Sequence, residues 1–148
     1  MEKLLFDNGL KEYDVNGTGV LRFNPSDPNV YGRFLDAIDE IKAVEQEMIT
    51  NGKAMEKSDG EGVVRLMVDA DKKVKAILQN VFGSRNDFDA IFSGVNIMAV
   101  ASNGERVITN FMEALEPIVS SGAERCAKQR VNDAVNSAKA NRAMRGHN

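Results

Sequence analysis

The chain has 148 residues, a formal net charge of −3, 43% hydrophobic residues and 28% charged residues. This length suits one domain with one hydrophobic core, and the composition is that of a globular protein rather than a disordered chain. The single cysteine and the single histidine exclude an internal disulfide framework and a His/Cys metal site supplied by one chain. No apolar run is long enough to cross a bilayer and the first residues lack a signal-peptide core, so we expect a cytoplasmic protein without membrane contact.

Residues 3–24 predict a small β element. Turns at Asn8-Gly9 and Asn16-Gly17 separate short apolar or alternating runs. Asn-Gly is a strong hairpin signal because both central residues of a type I′ turn need positive φ. The runs are Leu4 to Phe6, Leu10 to Val15 and Val20 to Phe23. We expect a hairpin or a three-stranded meander, with a buried face formed by Tyr13, Val15, Leu21 and Phe23.

The segment from Asn24 to Thr50 predicts the longest amphipathic helix. Two Asx-Pro pairs hold the backbone before each proline extended, and Ser26 or Asp27 can cap the helix that starts at Pro28. Apolar residues then recur at steps of three and four on one stripe: Val30, Tyr31, Phe34, Leu35, Ile38, Ile41, Val44, Met48 and Ile49. Such a stripe needs a cover, which the rest of the chain or a partner helix can supply. We expect the helix to end at Asn51-Gly52 and a polar loop to follow as far as residue 62.

Two further long helices are predicted. One runs from Glu61 to Phe82, and a short helix capped by Asn86 or Asp87 follows it. Val95 to Val100 fits strand or helix by its periodicity, and the helical surroundings favour a turn of helix. Ser102 to Glu105 has the form of a capping box for the third long helix, and Pro117 predicts a kink or break within that helix.

The predicted fold is therefore mainly α: a small N-terminal β element followed by three long helices and one or two short ones. We expect a single domain over residues 1–148. The β element spans 3–24, the helical core 27–119, and a basic C-terminal helix, extending from the core, spans 120–148.

Motifs for catalysis, cofactors or metals are absent from the sequence, and we expect a protein that is not an enzyme. There is no phosphate-binding loop, dinucleotide fingerprint or nucleophile elbow. Asp14 to Gly19 imitates the opening of an EF-hand loop, but its twelfth position is Pro25 and its flanks predict strands rather than helices. Cys126 lies among small residues without a base nearby in sequence, which favours a small core residue over a nucleophile.

The candidate sites are partner-binding surfaces. We expect Tyr31, Phe34 and Met48 to be the first apolar candidates for exposure. The last 25 residues carry six Lys/Arg against two Asp/Glu, and the basic candidates are Arg125, Arg130, Arg142 and Arg145. A basic helix end can contact nucleic acid or simply complement the helix dipole. The absence of interleaved aromatics and the acidic chain as a whole argue against nucleic acid.

Four features together resemble a known family. A hairpin leads into Phe23 to Pro28 and a long helix containing Arg33-Phe34, and a second helix closes on Val81 to Gly83. A short segment from Phe88 to Gly94 follows, and the last helix ends in Asn141 to Arg145. The chain resembles the small tail assembly chaperones of long-tailed bacteriophages, over most of its length.

This resemblance implies a non-enzymatic viral protein of the host cytoplasm. Members of the family coat the tape measure protein, help tail-tube protein to polymerise around it, often self-associate, and are absent from the finished virion. Binding of apolar helices would use side chains at i, i+3, i+4 and i+7 in a groove. The alternatives are a structural virion or head–tail connector protein, and a small nucleic-acid-binding regulator.

Overall fold

The computed structural model describes residues 1–146 of the chain, without the side chains of residues 130–133 and 144–146. Two strands form an antiparallel hairpin, β1 (Lys11–Val15) and β2 (Gly19–Phe23). Four helices follow, namely α1 (Pro28–Ala54), α2 (Gly60–Phe82), the short α3 (Phe88–Ile91) and α4 (Val107–Gly146). The prediction of a mainly helical fold with a small β element in front is confirmed.

The β1–β2 hairpin forms where the Asn16-Gly17 pair predicts it. Asn16 and Gly17 have φ values of 53° and 75°, and the Thr18 N–H donates to the Val15 carbonyl over 3.1 Å. Positive φ at both central residues matches the right-handed twist of the flanking strands. Leu21 and Phe23 are 1% and 2% exposed, while Tyr13 and Val15 are partly buried against them, so the predicted buried face is confirmed.

Of the two predicted forms of the β element, the hairpin is observed and the three-stranded meander is not. Within residues 1–146 the sheet has two strands, and residues 1–6, hereafter the arm, run without helix or strand. The reason lies in the turn after the arm. The carboxylate of Asp7 accepts from the Gly9 N–H, and Asn24 donates to the Asn8 carbonyl. These bonds hold the turn against Asn24, and the arm does not pair with β1.

Helices α1 and α2 form the central antiparallel pair, and each starts at a capping aspartate. Asp27 accepts from the Asn29 N–H and Asp59 from the Gly62 N–H. Pro28 is the first residue of α1, as predicted. The helix passes through Asn51-Gly52 and ends at Ala54, so the predicted end was too early. Glycine at that point costs about 1 kcal/mol, which packing of the helix pair offsets.

The connection from α2 to α3 depends on Asn86, which is 3% exposed. Its Oδ1 accepts from the Arg22 N–H over 2.7 Å, and its Nδ2 donates to the carbonyls of Arg22 and Phe82 over 3.0 and 2.8 Å. The amide therefore ties the free edge of β2 to the end of α2. The cap of α3 is Asp87, which accepts from the N–H groups of Asp89 and Ala90.

The segment between α3 and α4 corrects two predictions. Val95 to Val100 forms turns rather than helix, and Val100 makes an isolated antiparallel bridge to Arg106. Ser102 does not cap α4, because the Ala101 N–H bonds to the Glu105 carbonyl over 2.7 Å and closes a loop. Helix α4 begins only at Val107.

A chain of aromatic rings joins the elements. Tyr13 stacks on Phe23 with ring centroids 5.2 Å apart, and Phe23 meets Phe82 edge-on at 4.9 Å. The contacts continue through Phe88 and Phe92 to Phe111 at the start of α4. Each such pair adds about 0.5–1.5 kcal/mol beyond its buried area. The rings therefore connect the hairpin, α2, α3 and α4 in one core.

Helix α4 is continuous for 40 residues and contains Pro117, so the predicted break is wrong. Side chains on both sides of the proline are packed: Leu115 and Val119 are 4% and 2% exposed, and Gly122 is also buried. A Cβ at Gly122 would lie 1.5 Å from the Pro25 carbonyl oxygen. The core therefore extends past the predicted limit of residue 119, because α4 lies directly on the turn before α1.

Candidate functional site

An apolar groove runs between α1 and α4. Helix α1 packs closely along α2 but only sparsely on α4, and the space between α1 and α4 stays open. We call it the α1–α4 groove. Its lining is mostly apolar with a charged rim and consists of Phe34, Ile38, Ile41, Lys42, Glu45, Ile108, Thr109, Met112, Glu113 and Glu116. Phe34, Ile41 and Ile108 are buried in its floor, whereas Ile38 and Met112 are partly exposed along its walls.

A second hollow continues the groove toward the start of α1. It lies between Asp27, Pro28 and Tyr31 on one side and Ala123, Cys126 and Ala127 on the other, with Ser26 at its end. Early α1 residues face late α4 residues, so the two helices run antiparallel along the seam. The lining residues recur at intervals of seven: Tyr31, Ile38 and Glu45 in α1, and Thr109, Glu116 and Ala123 in α4. Residues seven positions apart are two helical turns apart and therefore lie on the same face of a helix.

The α1–α4 groove is small and, together with the second hollow, elongated along α1. It encloses 310 Å³, which is at the lower limit of about 300 Å³ for small-molecule pockets. The lined stretch of α1 from Asp27 to Glu45 is about 27 Å long at 1.5 Å per residue. An elongated apolar channel of this length, with charges only at its rim, is suited to the apolar stripe of another helix.

The charges at the rim are predominantly negative. Glu45, Glu113 and Glu116 face one lysine, Lys42. Arg106 donates to Glu45 over 3.2 Å, so that carboxylate is already paired. Glu113 has no ion pair within the described residues. A ligand with an apolar stripe flanked by cations would therefore complement this surface best.

The three predicted apolar partner-binding residues differ in exposure and in location. Phe34 and Met48 are 4% and 9% exposed, so the expectation that they are exposed is wrong. Phe34 still reaches the floor of the groove, whereas Met48 lies between α1 and α2. Tyr31 is partly exposed and lines the second hollow.

The basic candidates do not form one patch in the described part of the chain. Arg125 donates to the Ser26 hydroxyl over 3.1 Å and so helps to hold α4 on the turn before α1. Arg142 is exposed, about 26 Å further along the helix. The side chains of Arg130 and Arg145 lie outside the described residues.

The seam also contains residues that the sequence did not single out. Ile38 and Met112 are ordinary members of apolar stripes, and either could be covered by the core. The seven-residue interval could have found Ile38, but only once the pairing of α1 with α4 was known; Met112 lies outside the series of Thr109, Glu116 and Ala123. The sequence predicts a strand at Leu4 to Phe6, and the exposure of these side chains differs from that prediction.

A polar cluster around Lys75 lies between α2 and α3. The Lys75 ammonium is 3.0 Å from carboxylate oxygens of both Asp71 and Asp89, and Asp71 also accepts from the Ile97 N–H. Burial opposes the charge on Lys75, but the two carboxylates outweigh it and raise the pKa above its ordinary value. The amine therefore stays protonated near neutral pH and acts as a structural cation rather than a base.

Metal-binding clusters and membrane-spanning helices are both absent from the described part of the chain. No group of three or more His, Cys, Asp or Glu is placed to hold a metal ion there. Over the same residues, no helix has an apolar stretch sufficient to traverse a bilayer.

Comparison with known proteins gives no relative. No protein-family model, no curated protein and no solved structure matches the chain.

Proposed function

We propose that this protein is a non-enzymatic assembly chaperone that holds an amphipathic helix of its client in the α1–α4 groove. The observation that carries the proposal is the groove itself. It is an apolar channel with a charged rim, and its lining repeats every seven residues along two antiparallel helices. A client helix would place its i, i+3, i+4 and i+7 side chains against Ile38 and Met112.

The proposed client is the tape measure protein of a long-tailed bacteriophage, in the cytoplasm of the infected host. This part of the proposal rests on the sequence resemblance. The long, largely helical tape measure chain has apolar stripes that must stay soluble until tail-tube protein surrounds it. A groove open along one face can cover such a stripe and release it without breaking covalent bonds.

The test is co-expression with the tape measure protein of the same phage. Wild-type protein should keep the tape measure protein soluble and should copurify with it. Met112→Glu should abolish both effects, because a carboxylate placed in the apolar wall must be desolvated by the incoming helix. Val64→Glu is the matched control, since Val64 is 58% exposed on α2 and lines neither hollow.

Two results would contradict the proposal. One is a tape measure protein that stays insoluble with wild-type chain. The other is a Met112→Glu variant that is folded by circular dichroism and still solubilises the client. Mass spectrometry of purified virions separates the alternative function: stoichiometric presence in the virion would indicate a structural component, and absence fits a chaperone.

A further inference from the structure

The charges at the rim of the α1–α4 groove are divided unevenly between its two walls. The wall formed by α4 carries Glu113 and Glu116, which are exposed and make no ion pair within the described residues. The wall formed by α1 carries Lys42 and Glu45, and the Glu45 carboxylate is paired with Arg106. Among the described residues, the α4 wall therefore has two unpaired negative charges and the α1 wall has one unpaired positive charge.

The two carboxylates of the α4 wall repel each other. Glu113 and Glu116 are three positions apart, which makes them neighbours on the helix surface, and like charges at this spacing are unfavourable. Glu116 accepts a hydrogen bond from the Ser120 hydroxyl over 2.7 Å, but this bond leaves both charges in place. A cation held between the two carboxylates would remove the repulsion.

A helix that enters the groove changes the surroundings of these carboxylates. Its apolar stripe packs against Met112, and its edge then covers Glu113 and Glu116 on one side and displaces water from them. A carboxylate that loses hydration without gaining a partner is unfavourable, whereas one that meets Lys or Arg forms a charge-assisted hydrogen bond. The α4 wall therefore attracts a basic edge and rejects an acidic one.

The two walls also distinguish the two directions in which a helix can lie. One edge of the bound helix faces Glu113 and Glu116, and the other edge faces Lys42. If the helix is turned end for end while its apolar stripe stays in the groove, the two edges change places. A helix with one basic and one acidic edge therefore complements the rim in a single direction.

We propose that the rim selects client helices whose apolar stripe is bordered by Lys or Arg along one edge, and that it sets their direction by placing this basic edge against α4. The inference rests on the groove of the proposed function and adds the class of helix that the groove binds. Cations three or four positions apart on the client would meet Glu113 and Glu116 in turn. An acidic residue on the opposite edge would meet Lys42.

The experiment measures the binding of three synthetic peptides to the full chain. Each has about 21 residues with Leu at the a and d positions of three heptads, and is about 32 Å long as a helix. The first has Lys at e and Glu at g, the second has these residues exchanged, and the third has Glu at both. Fluorescence anisotropy with labelled peptide at nanomolar concentration keeps the peptide itself monomeric. The first two should bind about tenfold more tightly than the third, since each exposed ion pair contributes up to about fivefold.

A double variant tests whether the α4 wall causes this discrimination. Glu113→Gln combined with Glu116→Gln should bring the three affinities to within about twofold of one another. The amide oxygen at position 116 can still accept the hydrogen bond from Ser120. The control combines Glu40→Gln with Glu124→Gln, because these residues are exposed and line neither hollow, and the net charge changes equally. The control should discriminate between the peptides as the wild type does.

Cross-linking measures the direction of the bound helix. A photoreactive benzophenone at the N-terminus of each peptide marks the nearest protein residues, which mass spectrometry identifies. The first and second peptides should cross-link at opposite ends of the seam, one near Glu45 and the other near Ala123. Cross-links from both at the same end, equal affinities for all three peptides, or discrimination that survives in the Glu113→Gln, Glu116→Gln variant would each overturn the inference.

The outcomes also separate this inference from the proposed function. Equal binding of all three peptides that Met112→Glu abolishes would overturn selection by the rim and leave the groove as a helix-binding site. Selective binding of the peptides, with the tape measure protein left insoluble, would support selection by the rim and contradict the proposed client. Failure of all three peptides to bind would contradict both proposals.

Discussion

Gly122 offers the most direct test of how α4 is positioned, because two physical effects predict opposite results there. Replacing a glycine inside a helix by alanine normally stabilises the helix by about 1 kcal/mol. Gly122→Ala, however, would put a Cβ 1.5 Å from the Pro25 carbonyl oxygen and 2.5 Å from its carbon. The added Cβ is fixed to the α4 backbone, and the atoms that it meets belong to the Pro25 backbone, so neither can rotate away. Helix α4 must therefore shift away from the turn before α1.

At Gly122 we expect the steric clash to outweigh the gain in helix propensity. Overpacking typically costs about 1–3 kcal/mol, and here it opposes a gain of about 1 kcal/mol, so we expect net destabilisation by up to about 2 kcal/mol. Gly32 is the matched control, because it lies inside α1 and a Cβ added there would have no heavy atom within 4 Å. Gly32→Ala should stabilise the protein by about 0.5–1 kcal/mol.

Urea unfolding followed by circular dichroism measures both changes on one scale. The two variants should move the midpoint in opposite directions, with equal slopes. If Gly122→Ala stabilised the protein as much as Gly32→Ala, the close contact between α4 and Pro25 would be refuted. The described geometry of the second hollow would be refuted as well, because the hollow lies between the same two segments.

Two further predictions concern polar groups. Asn86→Ala should destabilise the fold by about 2–4 kcal/mol, because three backbone groups lose their partner, whereas Asn80→Ala, at an exposed position of α2, should stay within about 0.5 kcal/mol by the same urea assay. Lys75 has a raised pKa in the folded state, so its contribution is full below pH 10.5 and is lost as pH rises through the folded value. Lys75→Met should lower the free energy of unfolding at neutral pH, because the Asp71 carboxylate loses its ammonium partner. As the pH rises through the folded pKa of Lys75, the free energy of unfolding should fall less in this variant than in the wild type. An equal fall in both proteins would contradict the ion-pair argument.

The fold was largely predictable because its signals are local. The Asn16-Gly17 turn, the proline and capping aspartate before α1, and Gly83 after α2 each act within a few residues of where they stand. The apolar stripes then identify the long helices without further information. These signals determine elements and their order.

The errors arose where distant contacts decide the outcome. Ser102 has the pattern of a capping box, but pairing of Ala101 with Glu105 uses the same residues for a loop. Pro117 interrupts one hydrogen bond of α4, and packing on both sides keeps the helix continuous. The groove depends on how far α4 stands from α1, and no pattern within either helix encodes that distance.

The aromatic chain has a practical consequence for spectroscopy. The protein has two tyrosines and no tryptophan. Tyr13 ends the chain of stacked rings in the core, whereas Tyr31 lies in the second hollow of the groove. Ultraviolet emission of the native chain therefore combines a signal from the core with a signal from the second hollow. A Tyr13→Phe variant would leave a single tyrosine, in the second hollow, whose emission would report on the proposed binding of a helix.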